Sequence, residues 1–197
     1  MADKPKVLLL GDSIRLSYQP IVANLLAREA EVVGPEENGQ FSLYTASSLN
    51  RWLRDLGTPA LVHWNNGIHD AGHNPDRYPE QIPLEMYYAN LELILRRLLQ
   101  TGARIIWATT TPVHPSRPVV KNTWWWHNEE IDRYNTAALD LMQRYGVAVN
   151  DLHAVVQADC DKYLAARDGL HLSESGQNAC AQAVATAIRA ELARLAT

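Results

Sequence analysis

Three residues of the types used in nucleophilic catalysis stand at opposite ends of the sequence. Ser13 follows Gly11 and Asp12 at the end of an apolar run, and Asp168 and His171 lie three residues apart near the other end. A serine hydroxyl is a weak nucleophile until a base removes its proton, and a third group must orient that base. Ser13, His171 and Asp168 can supply these three functions. The alternative for the first segment is that Asp12 or Ser13 simply caps a helix.

The elements around Ser13 place its hydroxyl at the edge of a predicted sheet. Residues 6–10 form an apolar run of strand length, and residues 16–29 have the apolar spacing of a helix. A strand, a tight turn and a helix N-terminus put Ser13 at the carboxyl edge of the sheet, where open α/β sheets bind their ligands. The free N–H groups and the dipole of the helix can stabilise negative charge there.

The two segments resemble sequence blocks of the SGNH (GDSL-type) hydrolase family. Gly11-Asp12-Ser13-Ile14 resembles the first block, and Asp168-Gly-Leu-His171 resembles the last, at the expected opposite ends of one domain. The resemblance implies an esterase-type enzyme in which Ser13 is the nucleophile, His171 the base and Asp168 its partner. It also implies a flavodoxin-like strand order, 2-1-3-4-5, and a reaction that requires no cofactor.

Strand and helix patterns alternate along the chain. The predicted strands are 6–10, 31–33, 60–65, 103–110 and 147–151. The predicted helices are 16–29, 47–56, 84–100, 128–145 and 174–195, with a loop containing Pro75, Pro79 and Pro83 before the third. Strands that are apolar on both faces favour a buried parallel sheet, and right-handed crossovers then give a three-layer α/β/α sandwich. We therefore predict a single domain over residues 1–197.

Composition excludes several classes of function. A length of 197 residues suits one domain, and 47% hydrophobic with 20% charged residues is ordinary for a globular protein. A net charge of -4 with no basic block argues against nucleic-acid binding, and no apolar run approaches membrane-spanning length. Because the first strand begins at residue 6, we predict no signal peptide and a cytoplasmic location. Two cysteines do not make a disulfide framework, and the oligomeric state stays open.

Acyl transfer needs hydrogen-bond donors aimed at the oxyanion of the tetrahedral intermediate. The backbone N–H of Ser13 is one candidate. Gly39, in the loop after the second strand, is the next, because it fits the second block of the resembled family, where a glycine lets the main chain approach the substrate oxygen. Its alternative is an ordinary loop glycine.

The third donor is where the sequence departs from the resembled family. The family's third block is usually Gly-x-Asn-Asp with the Asn amide in the oxyanion hole, whereas this chain reads Gly67-Ile-His69-Asp70. Asn65 and Asn66 stand immediately before it. Asn66 or Asn65 can supply the amide from a shifted turn, His69 can donate a ring N–H, or the hole has two donors only. We favour Asn66 and assign Asn65 and His69 to substrate contact.

Three histidines and an aspartate in and after the third strand also suggest a metal site. His63, His69, Asp70 and His73 are ligand types that suit zinc, but they follow no recognised ligand spacing. His63 lies within the predicted strand, where a hydrogen-bonded core histidine is the simpler interpretation. Because a Ser/His/Asp set needs no metal, we predict none.

Two other groups of residues are candidates for substrate contact. Trp124 to Trp126 can stack on sugar rings if their faces are exposed, and the alternative is a loop folded over the sheet edge with one or two indoles buried. Arg15 and Tyr18, just past Ser13, can contact a polar substrate or anchor the first helix.

The predicted function is hydrolysis of a small-molecule ester, with removal of a short acyl group, acetyl above all, from a carbohydrate or similar small polar substrate. No long apolar stretch suggests a lipid tunnel. Two alternatives stay open: a lipase or thioesterase acting on longer acyl chains, and a catalytically inactive carbohydrate-binding or interaction module on the same fold.

Overall fold

Five parallel strands form a single sheet in the computed structural model, which describes residues 4–74, 80–117 and 124–195. The strands are β1 (Lys6–Leu10), β2 (Glu31–Val33), β3 (Leu61–Trp64), β4 (Arg104–Ala108) and β5 (Ala148–Asn150). Their order is β2-β1-β3-β4-β5. This is the flavodoxin-like order that the family resemblance implied, and that prediction is confirmed.

Helices cover both faces of the sheet. They are α1 (Ser13–Leu25), α2 (Ser42–Leu56), α3 (Leu84–Leu99), α4 (Asn128–Arg144), α5 (Leu152–Gln157), α6 (Cys160–Tyr163) and α7 (Glu174–Leu195). Side chains of β1 alternate between two apolar clusters: Leu8 and Leu10 pack with α2, α3 and α4, whereas Val7 and Leu9 pack with α1, α5 and α7. The alternation follows from the two-residue period of a strand, and it confirms the three-layer α/β/α architecture.

The register of the sheet brings the ends of its central strands to one level. Leu10 pairs with Trp64, and Trp64 pairs with Trp107. The N–H of Asn65 donates to the carbonyl of Leu10 over 3.1 Å, just past the end of both strands. The segments that follow β1, β3 and β4 therefore leave the sheet side by side, and this edge is where the predicted site residues should meet.

Two helices begin earlier than their apolar spacing predicts. α1 begins at Ser13 rather than residue 16, because the Asp12 side chain accepts the N–H of Ile14 as an N-cap. α2 begins at Ser42 rather than residue 47, and there the carboxylate of Asp70, 28 positions away, accepts the N–H of Ser42. A cap supplied from so far along the chain leaves no local sequence signal.

Some predicted features lie outside the described residues. They include Pro75 and Pro79, together with positions 118–123 of the loop before α4. Within the described ranges, no helix combines the length and the apolar character needed to cross a membrane.

Candidate active site

Ser13, His171 and Asp168 form one hydrogen-bonded line at the carboxyl edge of the sheet. Ser13 is the first residue of α1, and its Oγ lies 3.0 Å from Nε2 of His171. The other ring nitrogen of His171, Nδ1, lies 2.9 Å from Oδ2 of Asp168. Hydroxyl, imidazole and carboxylate in this order form an arrangement that can move a proton from a nucleophile to a base. The structure thus brings the three predicted residues together.

Backbone donors fix the Asp168 carboxylate in the turn before α7. Its Oδ1 accepts the N–H groups of Leu170 and His171, each over 3.0 Å. Burial by itself would raise the pKa of Asp168, but the hydrogen bonds from Leu170 and His171 outweigh burial and lower this pKa below its usual value. The carboxylate is therefore ionised near neutral pH, as the partner of an imidazole base has to be.

A capped helix start shapes the turn from Gly11 to Ser13. Asp12 is buried, its Oδ1 accepts the N–H of Ile14 over 2.8 Å, and its carbonyl accepts the N–H of Leu16 over 3.1 Å. The N–H of Ser13 lies in the first turn of α1, where backbone donors have no partner within the helix. The helix-cap and the candidate-nucleophile interpretations of this segment are thus compatible, since Asp12 caps the helix and the Ser13 hydroxyl lies next to His171.

Gly39 lies directly against the turn that carries Ser13. Its N–H donates to the carbonyl of Gly11 over 3.0 Å, and its own carbonyl accepts a hydrogen bond from Thr45 Oγ1. A Cβ at position 39 would lie 2.5 Å from the oxygen of Gly11, so the contact requires a glycine. Gly39 therefore occupies the predicted place beside the nucleophile, with its N–H bonded to Gly11.

Arg15 anchors the loop that carries Gly39. Its side chain is 1% exposed, and the guanidinium donates to the carbonyls of Gly11, Pro35 and Glu37. These bonds join the turn before α1 to the loop between β2 and α2. Arg15 is thus engaged within the protein rather than directed toward a substrate, and Tyr18 is buried in the same helix.

The Glu37 side chain holds the same loop from the outside. Its carboxylate accepts hydrogen bonds from Tyr44 Oη over 2.6 Å and Trp52 Nε1 over 2.5 Å, and Arg51 Nη2 lies 2.7 Å from it. Hydrogen bonds from Tyr44, Trp52 and Arg51 lower the pKa of Glu37 to about 2. The sequence does not reveal this function of Glu37, because nothing near it in the chain indicates that partners from α2 converge on its carboxylate.

The two asparagines after β3 use their amides inside the protein. Asn65 Nδ2 donates to the carbonyl of Ala108 over 2.8 Å. Asn66 is fully buried, and its Nδ2 donates to the carbonyl of Gln40 over 3.3 Å and to Thr45 Oγ1 over 3.1 Å. Both hydrogens of the Asn66 amide are therefore engaged in hydrogen bonds within the protein, one to a carbonyl and one to a hydroxyl. The preference for Asn66 as the third donor is therefore not supported by its contacts.

His69 lies close to the line of Ser13 and His171. It is half-buried, whereas its neighbours Ile68 and Asp70 are buried, so its side chain is the one of these three that keeps some exposure to solvent. Burial lowers the pKa of His69, the Asp12 carboxylate raises it, and His171 lowers it further, with a net decrease. The ring is therefore neutral at pH 7 and carries one N–H donor and one acceptor.

Asp70 ties the turn that carries His69 to the start of α2. Its Oδ1 accepts the N–H of Ser42 over 2.9 Å and the hydroxyl of Ser42 over 2.5 Å, and Asn90 Nδ2 donates to the same hydroxyl over 3.0 Å. Burial raises the pKa of Asp70 to about 7, against the opposing effect of the Ser42 hydrogen bonds. Asp70 thus has a positioning function that the sequence pattern alone did not assign.

The residues considered as zinc ligands each have a different partner. His63 is fully buried in β3 with Nε2 3.1 Å from Asn150 Nδ2, which agrees with the interpretation as a core histidine. His73 Nε2 lies 2.6 Å from Glu130 Oε2, and Asp70 bonds to α2. Over the described ranges, no group of three or more His, Cys, Asp or Glu residues is arranged to hold a metal ion.

The three consecutive tryptophans fold over the turn after β3. Trp125 pairs with His73 in an antiparallel bridge, and their rings stack with centroids 5.3 Å apart. Trp124 and Trp126 stack on each other at 5.9 Å, and Trp126 Nε1 donates to the carbonyl of Ile68 over 2.5 Å. All three side chains are half-buried. The segment therefore agrees with a loop folded over the sheet edge, although none of its three indoles is fully buried, and one face of Trp124 is covered by Trp126.

Known proteins of similar sequence are ester hydrolases by name. Residues 9–179 match the model of the GDSL-like lipase/acylhydrolase family. The isoamyl acetate-hydrolyzing esterase 1 homolog of Homo sapiens is 29% identical, and the match covers 87% of this chain and 76% of that protein. Its counterpart in Bos taurus is 28% identical over the same shares of the two chains.

Solved structures show the same fold. The acetyl xylan esterase AlAXEase superposes with a TM-score of 0.75 at 15% identity, and the match covers 93% of this chain and 99% of that one. A lipase/acylhydrolase from Enterococcus faecalis gives a TM-score of 0.76 at 22% identity, with 95% and 96% covered. At such identities the likeness concerns the fold alone.

Proposed function

Because the chain belongs to the GDSL-like lipase/acylhydrolase family, we propose that it is a serine ester hydrolase that removes short acyl groups by way of Ser13. The observation that carries this proposal is the hydrogen-bonded line from Ser13 Oγ through His171 to Asp168. A family member that had become a binding module would have no need to keep a hydroxyl, an imidazole and a carboxylate in this geometry.

Acylation begins when Ser13 Oγ attacks the acyl carbon of the ester. Nε2 of His171 takes the hydroxyl proton as the new C–O bond forms, and the carbonyl oxygen becomes an oxyanion. His171 then gives this proton to the leaving alkoxide as the ester bond breaks, so the products are an alcohol and the Ser13 acyl-enzyme. Asp168 accepts Nδ1–H of His171 throughout, which fixes the tautomer and stabilises the imidazolium.

Deacylation repeats the same steps with water. His171 removes a proton from the water as the water oxygen attacks the acyl carbon, and it then returns the proton to Ser13 Oγ as the acyl–enzyme bond breaks. The second product is the carboxylic acid. Every proton in the cycle moves through Nε2 of His171, so this mechanism needs no cofactor.

Two backbone N–H groups are the proposed core of the oxyanion hole. The N–H of Ser13 lies at the start of α1, where the helix dipole also favours negative charge. The N–H of Gly39 donates to Gly11 in the free protein, and we propose that it is shared with the oxyanion as a three-centre hydrogen bond. Arg15 and Glu37 hold the loop of Gly39 in place for this.

The proposed substrates are acetyl esters of small alcohols or carbohydrates. The human relative is named as a homolog of an isoamyl acetate-hydrolyzing esterase, and the structural neighbour AlAXEase is named as an acetyl xylan esterase. The two names share the acetyl group and differ in the alcohol. Because Trp124 stacks on Trp126, one of its faces is not free to bind a sugar ring, and the acetyl group shared by the two names carries the proposal.

A chain-length series tests the acyl specificity. We expect kcat/KM to be highest for p-nitrophenyl acetate and to fall steadily through butyrate, octanoate and dodecanoate. Release of acetic acid from isoamyl acetate and from acetylated xylan is then compared. The faster reaction shows whether the alcohol part of the substrate is a small apolar alcohol or a carbohydrate. A maximum at octanoate or dodecanoate would favour the lipase or thioesterase alternative and overturn the short-acyl proposal.

A further inference from the structure

His69 stands out in the turn after β3, because the side chains around it are all occupied. Asn66 is buried and bonded to Gln40 and Thr45, Ile68 is 3% exposed, and Asp70 is bonded to Ser42. The ring of His69, by contrast, is only half-buried and keeps some exposure to solvent. His69 is therefore the polar side chain of this turn whose function is still to be assigned.

The geometry of the sheet brings this turn to Ser13. Leu10 and Trp64 are paired in the register of β1 and β3, so the segments that follow them run side by side. Asp12 and Ile68 line the same small cavity of about 10 Å³, which places the residue before His69 against the residue before Ser13.

The electrostatic neighbours of the ring agree with this position. The charges of Asp12 and His171 both act on His69, and His171 is the residue whose Nε2 lies 3.0 Å from Ser13 Oγ. Together with the register of β1 and β3, these interactions place the His69 ring in the neighbourhood of Asp12 and His171.

We propose that His69 donates a ring N–H to the oxyanion of the tetrahedral intermediate and is the third donor of the oxyanion hole. The proposal rests on the function proposed above. It assigns to an imidazole the task that the Asn of the Gly-x-Asn-Asp block performs in the resembled family, at the same position of the block.

A neutral imidazole suits this task. It offers an N–H donor without adding a permanent positive charge beside His171, which would make that base harder to protonate. Burial, the largest effect on the pKa of His69, acts in this direction. The ring thus stabilises the oxyanion by a hydrogen bond and leaves the proton transfer to His171.

The backbone just before His69 is held in place by hydrogen bonds within the protein. The carbonyl of Asn66 accepts from Tyr87 Oη over 3.0 Å and from Thr110 Oγ1 over 3.1 Å, and the carbonyl of Ile68 accepts from Trp126 Nε1. A donor on such a fixed support needs little reorganisation during the reaction, which is the condition for electrostatic stabilisation of a transition state. The tryptophan segment acquires a positioning function here, since it clamps the residue before His69.

The test compares His69→Ala, His69→Asn and a control, His127→Ala, on p-nitrophenyl acetate. His127 is exposed and lies outside the proposed machinery. We expect His69→Ala to lower kcat by about 10²–10³-fold with little change in KM, the cost typical of one lost oxyanion donor. His69→Asn should recover most of the loss, because its amide also donates, and the control should match the wild type.

A trifluoromethyl ketone analogue of the acetyl ester gives a second measurement. Its adduct with Ser13 carries an oxyanion, so its inhibition constant should rise in His69→Ala by the same factor as kcat/KM falls. A structural defect that only impairs substrate binding would raise KM instead. An unchanged kcat in His69→Ala, or an unchanged inhibition constant, would overturn the proposal.

Labelling separates this inference from the function on which it rests. A fluorophosphonate probe should modify Ser13 of the wild type, as checked by peptide mass spectrometry. If Ser13 is labelled and His69→Ala is fully active, only the third-donor proposal fails. If Ser13 is not labelled in the active wild type, the proposed function itself fails.

Discussion

Nε2 of His171 lies 3.0 Å from Oγ of Ser13, although 158 positions separate the two residues in the sequence. β1 delivers Ser13 to the carboxyl edge of the sheet, and the turn before α7 returns His171 to the same edge. The contact depends on the register of the whole sheet and on the packing of α7 against α1. A variant that disturbs the fold would therefore also separate Ser13 from His171 and lower the activity. For this reason stability or labelling is measured together with activity.

Asp168→Asn should impair catalysis while the protein stays folded. The Asn carbonyl oxygen can still accept the N–H groups of Leu170 and His171, but it cannot hold the Nδ1–H tautomer of His171 as an ionised carboxylate does. We expect kcat on p-nitrophenyl acetate to fall by about 10²–10⁴-fold, with the melting temperature close to that of the wild type. Asp140→Asn, on the surface of α4, is the control. Activity equal to the control would exclude Asp168 from the mechanism.

Arg15→Lys should loosen the loop that carries Gly39. A lysine nitrogen cannot reproduce the fork that reaches the carbonyls of Gly11, Pro35 and Glu37, so buried acceptors lose their donors. We expect a loss of about 1–3 kcal/mol in the free energy of unfolding by urea, and a lower kcat with unchanged Ser13 labelling. Arg54→Lys is the matched control, because the Arg54 side chain is 72% exposed. If Arg15→Lys and Arg54→Lys had equal stability and equal kcat, the Arg15 contacts would contribute neither to stability nor to catalysis.

Asp70→Asn should change the pH dependence of stability. Burial raises the pKa of Asp70 from 3.8 to about 7, so the native state keeps this proton over a range in which the unfolded chain has lost it. The Asp70 contribution to stability is therefore complete below pH 3.8 and is lost as the pH rises to about 7. We expect urea unfolding between these pH values to show a smaller decrease of stability with pH in Asp70→Asn than in the wild type. Parallel curves of unfolding free energy against pH for the wild type and Asp70→Asn would contradict the raised pKa. Asp55→Asn controls for the loss of a charge, because Asp55 is exposed.

The sequence predicted the layers of the fold because their signals are local. The apolar runs and the helical spacing identify each strand and long helix within a few residues, and the family resemblance supplied the strand order. Ser13, Asp168 and His171 could be predicted as site residues for a similar reason, since each stands in a short segment with a recognisable pattern, and the structure places them within hydrogen-bond distance. The same resemblance predicted Gly39, and its contact with Gly11 explains why a glycine is required there.

What the sequence did not predict depends on pairs of residues that are distant in the chain. From the sequence, the Asn66 amide was a candidate donor to the oxyanion, but in the structure it donates to Gln40 and Thr45. Arg15 looked like a substrate contact until the structure buried it against the carbonyls of the next loop. In both cases the side chain is of the correct chemical type, and only the tertiary partner decides whether its donors are available.

The most direct test of the account compares the wild type with Ser13→Ala on p-nitrophenyl acetate, with fluorophosphonate labelling of both proteins. We expect Ser13→Ala to fold like the wild type, to take up no label and to lose about 10³-fold or more in kcat/KM. A Ser13→Ala protein that retains its activity, or a wild type labelled at another residue, would contradict it.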